Sequence, residues 1–139
     1  MRHRKDSRKL GRSSAHRKAL LGHLVCALIK EGRIKTTFAK AKEARRLAEK
    51  MVTLGRKQSI NEHWNVTARR LAVARLRKRE EVKKLFEEIV PLMEGRPGGY
   101  TRMIKLGRRS SDSSEMVMLE WVQPESAEAS VEVSETTEA

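Results

Sequence analysis

All 31 lysines and arginines of this 139-residue chain lie at or before Arg109, yet residues 1–111 hold only 10 of the 18 acids and so carry a net charge of +21. A compact body with that field repels itself. Folding therefore requires the apolar residues to gather into narrow stripes while the cations stay outside, and a polyanion is the expected partner that relieves the repulsion. Past residue 111 the sign reverses: 8 acids and no base bring the whole chain to +13.

One core is what the length supports. With 38% apolar but only 4% aromatic residues, Leu, Val, Ile, Ala and Met must fill it. Residues 1–12 have no apolar period and read as an extended basic arm when free, with Arg2, Arg4, Lys5, Arg8, Lys9 and Arg12 against Asp6. A helix then starts near Ser13 or Ser14, carries Leu20, Leu21, Leu24, Val25 and Leu28 on one side, and stops at Gly32. RIKTT (33–37) is β-branched at three positions and predicts a short strand. A second helix is expected from Phe38 to Leu54, capped by Thr36 or Thr37 and ended by Gly55, with Ala41, Ala44, Leu47, Ala48, Met51 and Val52 as its buried stripe. A third is expected over Val66 to Lys78, and a fourth from REEVKKLFEEIV, ending near Pro91.

After EGRPGG the chain alternates. Tyr100, Arg102, Ile104 and Leu106 share one side of YTRMIKL, with Ile104 expected in the core, and MVMLEWV (116–122) returns as the hairpin partner across a polar loop. The order α-β-α-α-α-β-β with helices and hairpin in separate runs predicts an α+β fold in two layers, helices packed on a small mixed sheet. Residues 13–122 form the expected domain, and 123–139, with five Glu and no base, an acidic disordered tail.

Catalytic patterns are scarce: no G-x-x-x-x-G-K-[ST], H-E-x-x-H or G-x-S-x-G occurs, and the chain is expected to be a binder, not an enzyme. His23 and Cys26 are three residues apart, but two ligands do not close a metal site, and Cys26 reads as a small core residue in a reducing compartment. No metal, cofactor or small-molecule substrate is expected. A secretory signal could be read into ALLGHLVCALI behind the basic start, but His23 interrupts that run, Lys30 and Glu31 close it, and no A-x-A site follows. A transit peptide would be Arg-rich, as here, but also amphipathic, which residues 1–12 are not. No apolar run approaches the roughly 18 residues of a membrane span.

Among polyanions, a membrane surface asks for cations on one helix face and apolar anchors on the other, whereas most of the cation density here lies in an arm without anchors and in hairpin positions such as Arg102, Lys105 and Arg108. DNA readers offer a recognition helix or zinc module, which this sequence does not resemble. Structured RNA, bound through backbone and shape, is the reading that remains, with DNA or nucleoid binding as the rival and a membrane surface third. Lys40 and Lys42 at the start of the second helix oppose its dipole. A phosphate seated on the free amides there would reverse that sign, although a Thr cap with solvated lysines fits the residues equally well.

MRHRK...RKLGR...HRKALL, RIKTTFAKAKEARRLAEKMVTLG and RPGGYTRMIKLGRRSSDSSEMVMLEWV, in that order, resemble the bacterial large-subunit ribosomal protein seventeen family over residues 1 to about 122. The resemblance implies a structural protein of the large (50S) subunit in the cytoplasmic ribosome, on the exit-tunnel side, with large-subunit ribosomal RNA and neighbouring ribosomal proteins as partners. Carried onto this sequence, the implied RNA contacts are Arg2, His3, Arg4, Lys5, Arg8, Lys9, Arg12, His16 and Arg17; Lys35, Thr36, Thr37, Lys40 and Lys42; and Tyr100, Arg102, Lys105 and Arg108. Two departures from the family's pattern stand out. Ser111, Asp112, Ser113 and Ser114 fill a hairpin loop that usually holds a glycine, an aspartate and an alanine, and Gly22 replaces a larger side chain.

Overall fold

The computed structural model describes residues 7–60 and 64–122, the side chains of 57–60 and 64 excepted. The tail from residue 123 lies outside them. Within the described residues the chain runs α1 (Ser14–Glu31), β1 (Arg33–Thr37), α2 (Phe38–Ile60), α3 (Trp64–Leu76), α4, β2 (Thr101–Arg108) and β3 (Glu115–Trp121). Helix α4 is continuous through Arg79–Lys84, one π turn at Leu85–Ile89, and Val90–Leu92.

Ser13 caps α1 by accepting the His16 N–H at 3.4 Å, and Gly32, at φ 79°, ends it by donating to the Leu28 carbonyl. Val25, Cys26, Leu28 and Ile29 form its buried stripe. Gly22 is buried too, and a Cβ there would stand 3.3 Å from the Arg75 carbonyl, so the missing side chain lets α1 cross α3 closely. The Cys26 thiol points to the Leu76 carbonyl at 3.6 Å, and burial pushes its pKa up.

Helix α2 passes through the expected stop at Gly55 and continues to Ile60. Gly55 is a packing glycine, not a terminator: a Cβ there would come within 2.4 Å of a Val90 methyl. Ala41, Ala44 and Ala48 are fully buried along the same helix, and such small residues let neighbouring elements approach its backbone. Helix α3 lies two residues earlier than the expected span, because Arg77 takes a left-handed φ of 60° and closes it, donating its N–H to the Val73 carbonyl. In α4 the Val90 N–H reaches back to Leu85. The widened turn directly precedes Pro91, which has no N–H to offer and whose ring would crowd a regular helix.

The sheet has the order β1-β3-β2 and is antiparallel throughout. The expected mixed sheet does not form, since β3 enters between the two strands that run the same way. Ile34, Leu119 and Met103 line up across the face that meets α1 and α2, followed by Thr36 and Val117. Arg33, Glu120 and Arg102 make the first row of the opposite face, and Lys35, Met118 and Ile104 the second. Ile104 is thus 42% exposed, not core. Helices cover the alternate set, Thr101 and Met103.

Three polar contacts hold the layers in register. The buried Trp121 Nε1–H donates to the Leu28 carbonyl at 3.1 Å. Glu49 of α2 accepts the backbone N–H groups of Tyr100 (3.1 Å) and Thr101 (3.0 Å) and the Thr101 hydroxyl (2.7 Å), clamping the start of β2. Arg56 donates through Nη1 to the Tyr100 hydroxyl at 2.8 Å and the Arg96 carbonyl at 2.7 Å.

Candidate nucleic-acid interface

The first group of cations is the end of the arm. Residues 9–12 form a turn with Leu10 at φ 56° and Gly11 at φ 63°, closed by the Arg12 N–H on the Lys9 carbonyl. Arg12 Nη1 donates back to the Leu10 carbonyl at 2.8 Å. The Arg8 N–H donates to the buried Glu43 of α2 at 3.2 Å. This corrects the expectation of a wholly extended arm: a carboxylate held among apolar neighbours needs a donor, and the arm supplies one. The docking brings Arg8 to Glu43, which lies within one helical turn of Lys40 and Lys42 along α2. Arg2, His3, Arg4 and Lys5 lie outside the described residues. His16 is exposed on the first turn of α1 and Arg17 half-buried beside it.

The junction where β1 runs straight into α2 forms the second group. Neither the Thr36 nor the Thr37 hydroxyl bonds an amide among the described residues, so no threonine cap consumes the free N–H groups of the α2 start. Lys42 is exposed, Lys40 half-buried, and no acid stands in the first turn. An anion fits this end by both charge and hydrogen bonding. Thr36 itself points inward at 9% exposure.

On the outer sheet face Lys35 stands beside Met118, and Arg33, which sequence reasoning left out, flanks Glu120 from the side opposite Arg102. Arg102 and Glu120 form an ion pair. Pairing the acid of β3 with both outer strands is a property of register, and no linear pattern reveals it. Lys105 is exposed at the edge of the other face, and Leu106 bulges out so that Gly107, at φ 89°, rejoins the ladder ahead of Arg108. At the hairpin tip Asp112 takes two bonds from Arg109 and two from Ser114, which hold its carboxyl well below the usual carboxylate range.

Tyr100 departs from the expected contact set. Its ring is 2% exposed and its hydroxyl engaged by Arg56, so it shapes the start of β2 from inside and presents no face to a ligand.

The docked arm, the α2 start, the outer sheet face and the β2 end thus carry the exposed cations, with Glu120 opposite Arg102, Glu115 opposite Arg108 and Asp112 at the hairpin tip as the acids set among them. A family model described as Ribosomal protein L17 matches residues 20–122. The chain belongs to that family. It is also 45% identical over 123 residues to "Large ribosomal subunit protein bL17" of Methylacidiphilum infernorum (isolate V4), an alignment covering 88% of this chain and 89% of that relative. The family match spans all the secondary structure from α1 onward except its first turns and includes every hairpin and α2 position named above. Among the described residues no group of three or more His, Cys, Asp or Glu could hold a metal, and no helix is long and apolar enough to cross a membrane.

Proposed function

We propose that this chain is a structural constituent of the large ribosomal subunit, working in the cytoplasmic ribosome by binding ribosomal RNA through phosphate and shape contacts. Its work is binding, not catalysis, and its place is the exit-tunnel side of the subunit beside other ribosomal proteins. The observation that supports this most is the likeness to a large-subunit protein along nearly the full length of both chains.

In this reading Arg8, Lys9 and Arg12 reach one stretch of backbone together with Arg2, His3, Arg4, Lys5, His16 and Arg17. Lys40 and Lys42 add ammonium groups to the free amides of α2, so a phosphate there meets convergent donors. Lys35, Thr37 and Arg102 extend the contact across the outer sheet face, and Lys105 and Arg108 carry it around the free edge of β2. Such contacts position the protein and carry little sequence information, so specificity comes from the shape of folded RNA. Thr36 and Tyr100 contribute by holding the strands that present these groups.

Co-sedimentation tests the reading against a DNA- or membrane-binding role. The tagged protein is expected to stay with the 50S particle after a high-salt wash. Release from the particle together with recovery in a nucleoid or vesicle fraction would contradict it.

A further inference from the structure

A cleft opens where the end of α1, the end of α4 and the first row of the sheet meet, and the interface above leaves it unused. It measures about 590 Å³, within the roughly 300–1,000 Å³ of sites that hold small ligands. Its apolar side includes Ile29, Leu92, Met93 and Trp121. Ile29, Met93 and Trp121 belong to the core, whereas Leu92, the last residue of α4, is 56% exposed, an apolar surface that the fold itself leaves uncovered. Lys84 closes one wall by donating from Nζ to the Lys30 carbonyl at 3.0 Å. Another wall is the outer-face row of Arg33, Glu120 and Arg102.

Glu120 sits awkwardly on a face that attracts phosphate. An ion pair with a partner as exposed as Arg102 adds little stability, and as a bare charge the carboxylate weakens the hold of this surface on any polyanion. Arg102 Nε occupies one of its oxygens, Oε1. The other, Oε2, takes no bond from a described residue, and Arg33, exposed on the far side of the row, forms no ion pair with one. Glu120 therefore offers a hydrogen-bond acceptor flanked by two guanidinium groups. A phosphodiester has no proton to give it at neutral pH, and deoxyribose has none at its 2′ position. The 2′-hydroxyl of RNA has one.

The balance of charge limits what else can enter. Lys30, Arg33, Lys84 and Arg102 line the cleft, but so do Glu31, Glu88 and Glu120, which suits a ligand with a phosphate or two at the rim and not a run of backbone. An apolar wall, one anionic acceptor and a few rim cations match a single unstacked ribonucleotide. The cleft is also continuous with the outer sheet face, since Arg33 and Arg102 belong to both. We infer that it receives one unpaired nucleotide of the RNA: the base lies against Leu92, the 2′-hydroxyl donates to Glu120 Oε2, and the flanking phosphates meet Arg33 and Lys30. This rests on the RNA-binding reading above.

Nucleotide-analogue interference tests the inference. Large-subunit RNA transcripts with scattered 2′-deoxy substitutions are selected for binding to the full chain, and the positions that block binding are read. The wild type is expected to show interference at an unpaired nucleotide, and Glu120→Ala to abolish it there while keeping the rest of the pattern. Glu120→Ala should also bind unmodified RNA about tenfold more weakly at matched salt, with no loss of affinity for duplex DNA. Glu115→Ala removes the same charge from the same strand and should bind both slightly more tightly. Leu92→Ser should weaken RNA binding about fivefold at an unchanged melting temperature, whereas Val66→Ser, at a similarly exposed position on α3, should not weaken it. The inference is overturned by a wild type without 2′-deoxy interference at an unpaired nucleotide, by the same interference in Glu120→Ala, or by an RNA affinity that rises in that variant as it does in Glu115→Ala. It fails equally if Leu92→Ser matches the wild type. A gain in RNA affinity on deleting residues 123–139, with the Glu120 and Leu92 variants inert, would seat the acidic tail in the cleft and overturn it too. Absence of RNA binding by the wild type would defeat the underlying reading, whereas wild-type binding with inert cleft variants would defeat this inference alone.

Discussion

At the scale of single residues, Gly55 shows how one missing side chain sets the distance between helices. A Cβ there would meet a Val90 methyl at 2.4 Å and the rest of that side chain at 3.4 Å, and Val90 is itself buried, so rotation does not clear the clash. Gly55→Ala should gain about 1 kcal/mol of helix propensity and lose about 2–3 kcal/mol to overpacking, a net destabilisation of about 1–2 kcal/mol by denaturant unfolding. An unchanged or raised midpoint would show that α2 and α4 can part without cost. Nothing near Gly55 in the sequence marks it as interior, because a glycine after an apolar stripe is also what a helix end looks like. Ile104 was misread for a related reason. Alternation separates Tyr100, Arg102, Ile104 and Leu106 from Thr101, Met103 and Lys105, but which set the helices cover depends on a distant element.

That element is α2, and its grip on the hairpin is the main event at the scale of secondary structure. Glu49 stands among cations along the helix, where a linear reading pairs it with Arg45, 3.9 Å away. Its larger task is to accept three bonds from Tyr100 and Thr101, a role that a separation of some fifty residues hides from any local pattern. Glu49→Ala should destabilise the protein by about 2–3 kcal/mol, since two backbone donors lose a charged acceptor and only partly regain water. Amide exchange should accelerate at Tyr100 and Thr101 beyond the change in global stability. Uniform acceleration across the sheet would mean that the clamp is not local. What the sequence did reveal at this scale is the order and kind of every element, because the 3.6-residue stripes of α1, α2 and α4 and the alternation of β2 and β3 are carried by neighbours in the chain. Sheet order and the docking of Arg8 on Glu43 depend on contacts across the fold and stayed out of reach.

For the whole molecule the governing quantity is the positive field with which the sequence began. The fold disposes of it by keeping arginines and lysines off the core, by committing a few to Glu120, Asp112 and Glu81, and by leaving the rest on surfaces that a polyanion would neutralise. Lys35 and Lys42 are exposed and Lys40 half-buried, as their short linear motifs suggest. The inward turn of Thr36 and Tyr100 and the placing of Arg33 beside Glu120 depend on the fold and on strand register, which no linear motif carries. The central claim is that these exposed cations exist to hold phosphates of ribosomal RNA. Its most direct test is equilibrium binding over a range of salt to deproteinised large-subunit RNA and to duplex DNA, for the wild type and for Lys35→Gln, Lys40→Gln, Lys42→Gln, Arg108→Gln. The account expects tighter binding to the RNA at every salt concentration, and a slope flattened by about three in the variant with thermal unfolding unchanged. Equal affinity for duplex DNA, or a variant whose slope matches the wild type, would contradict it.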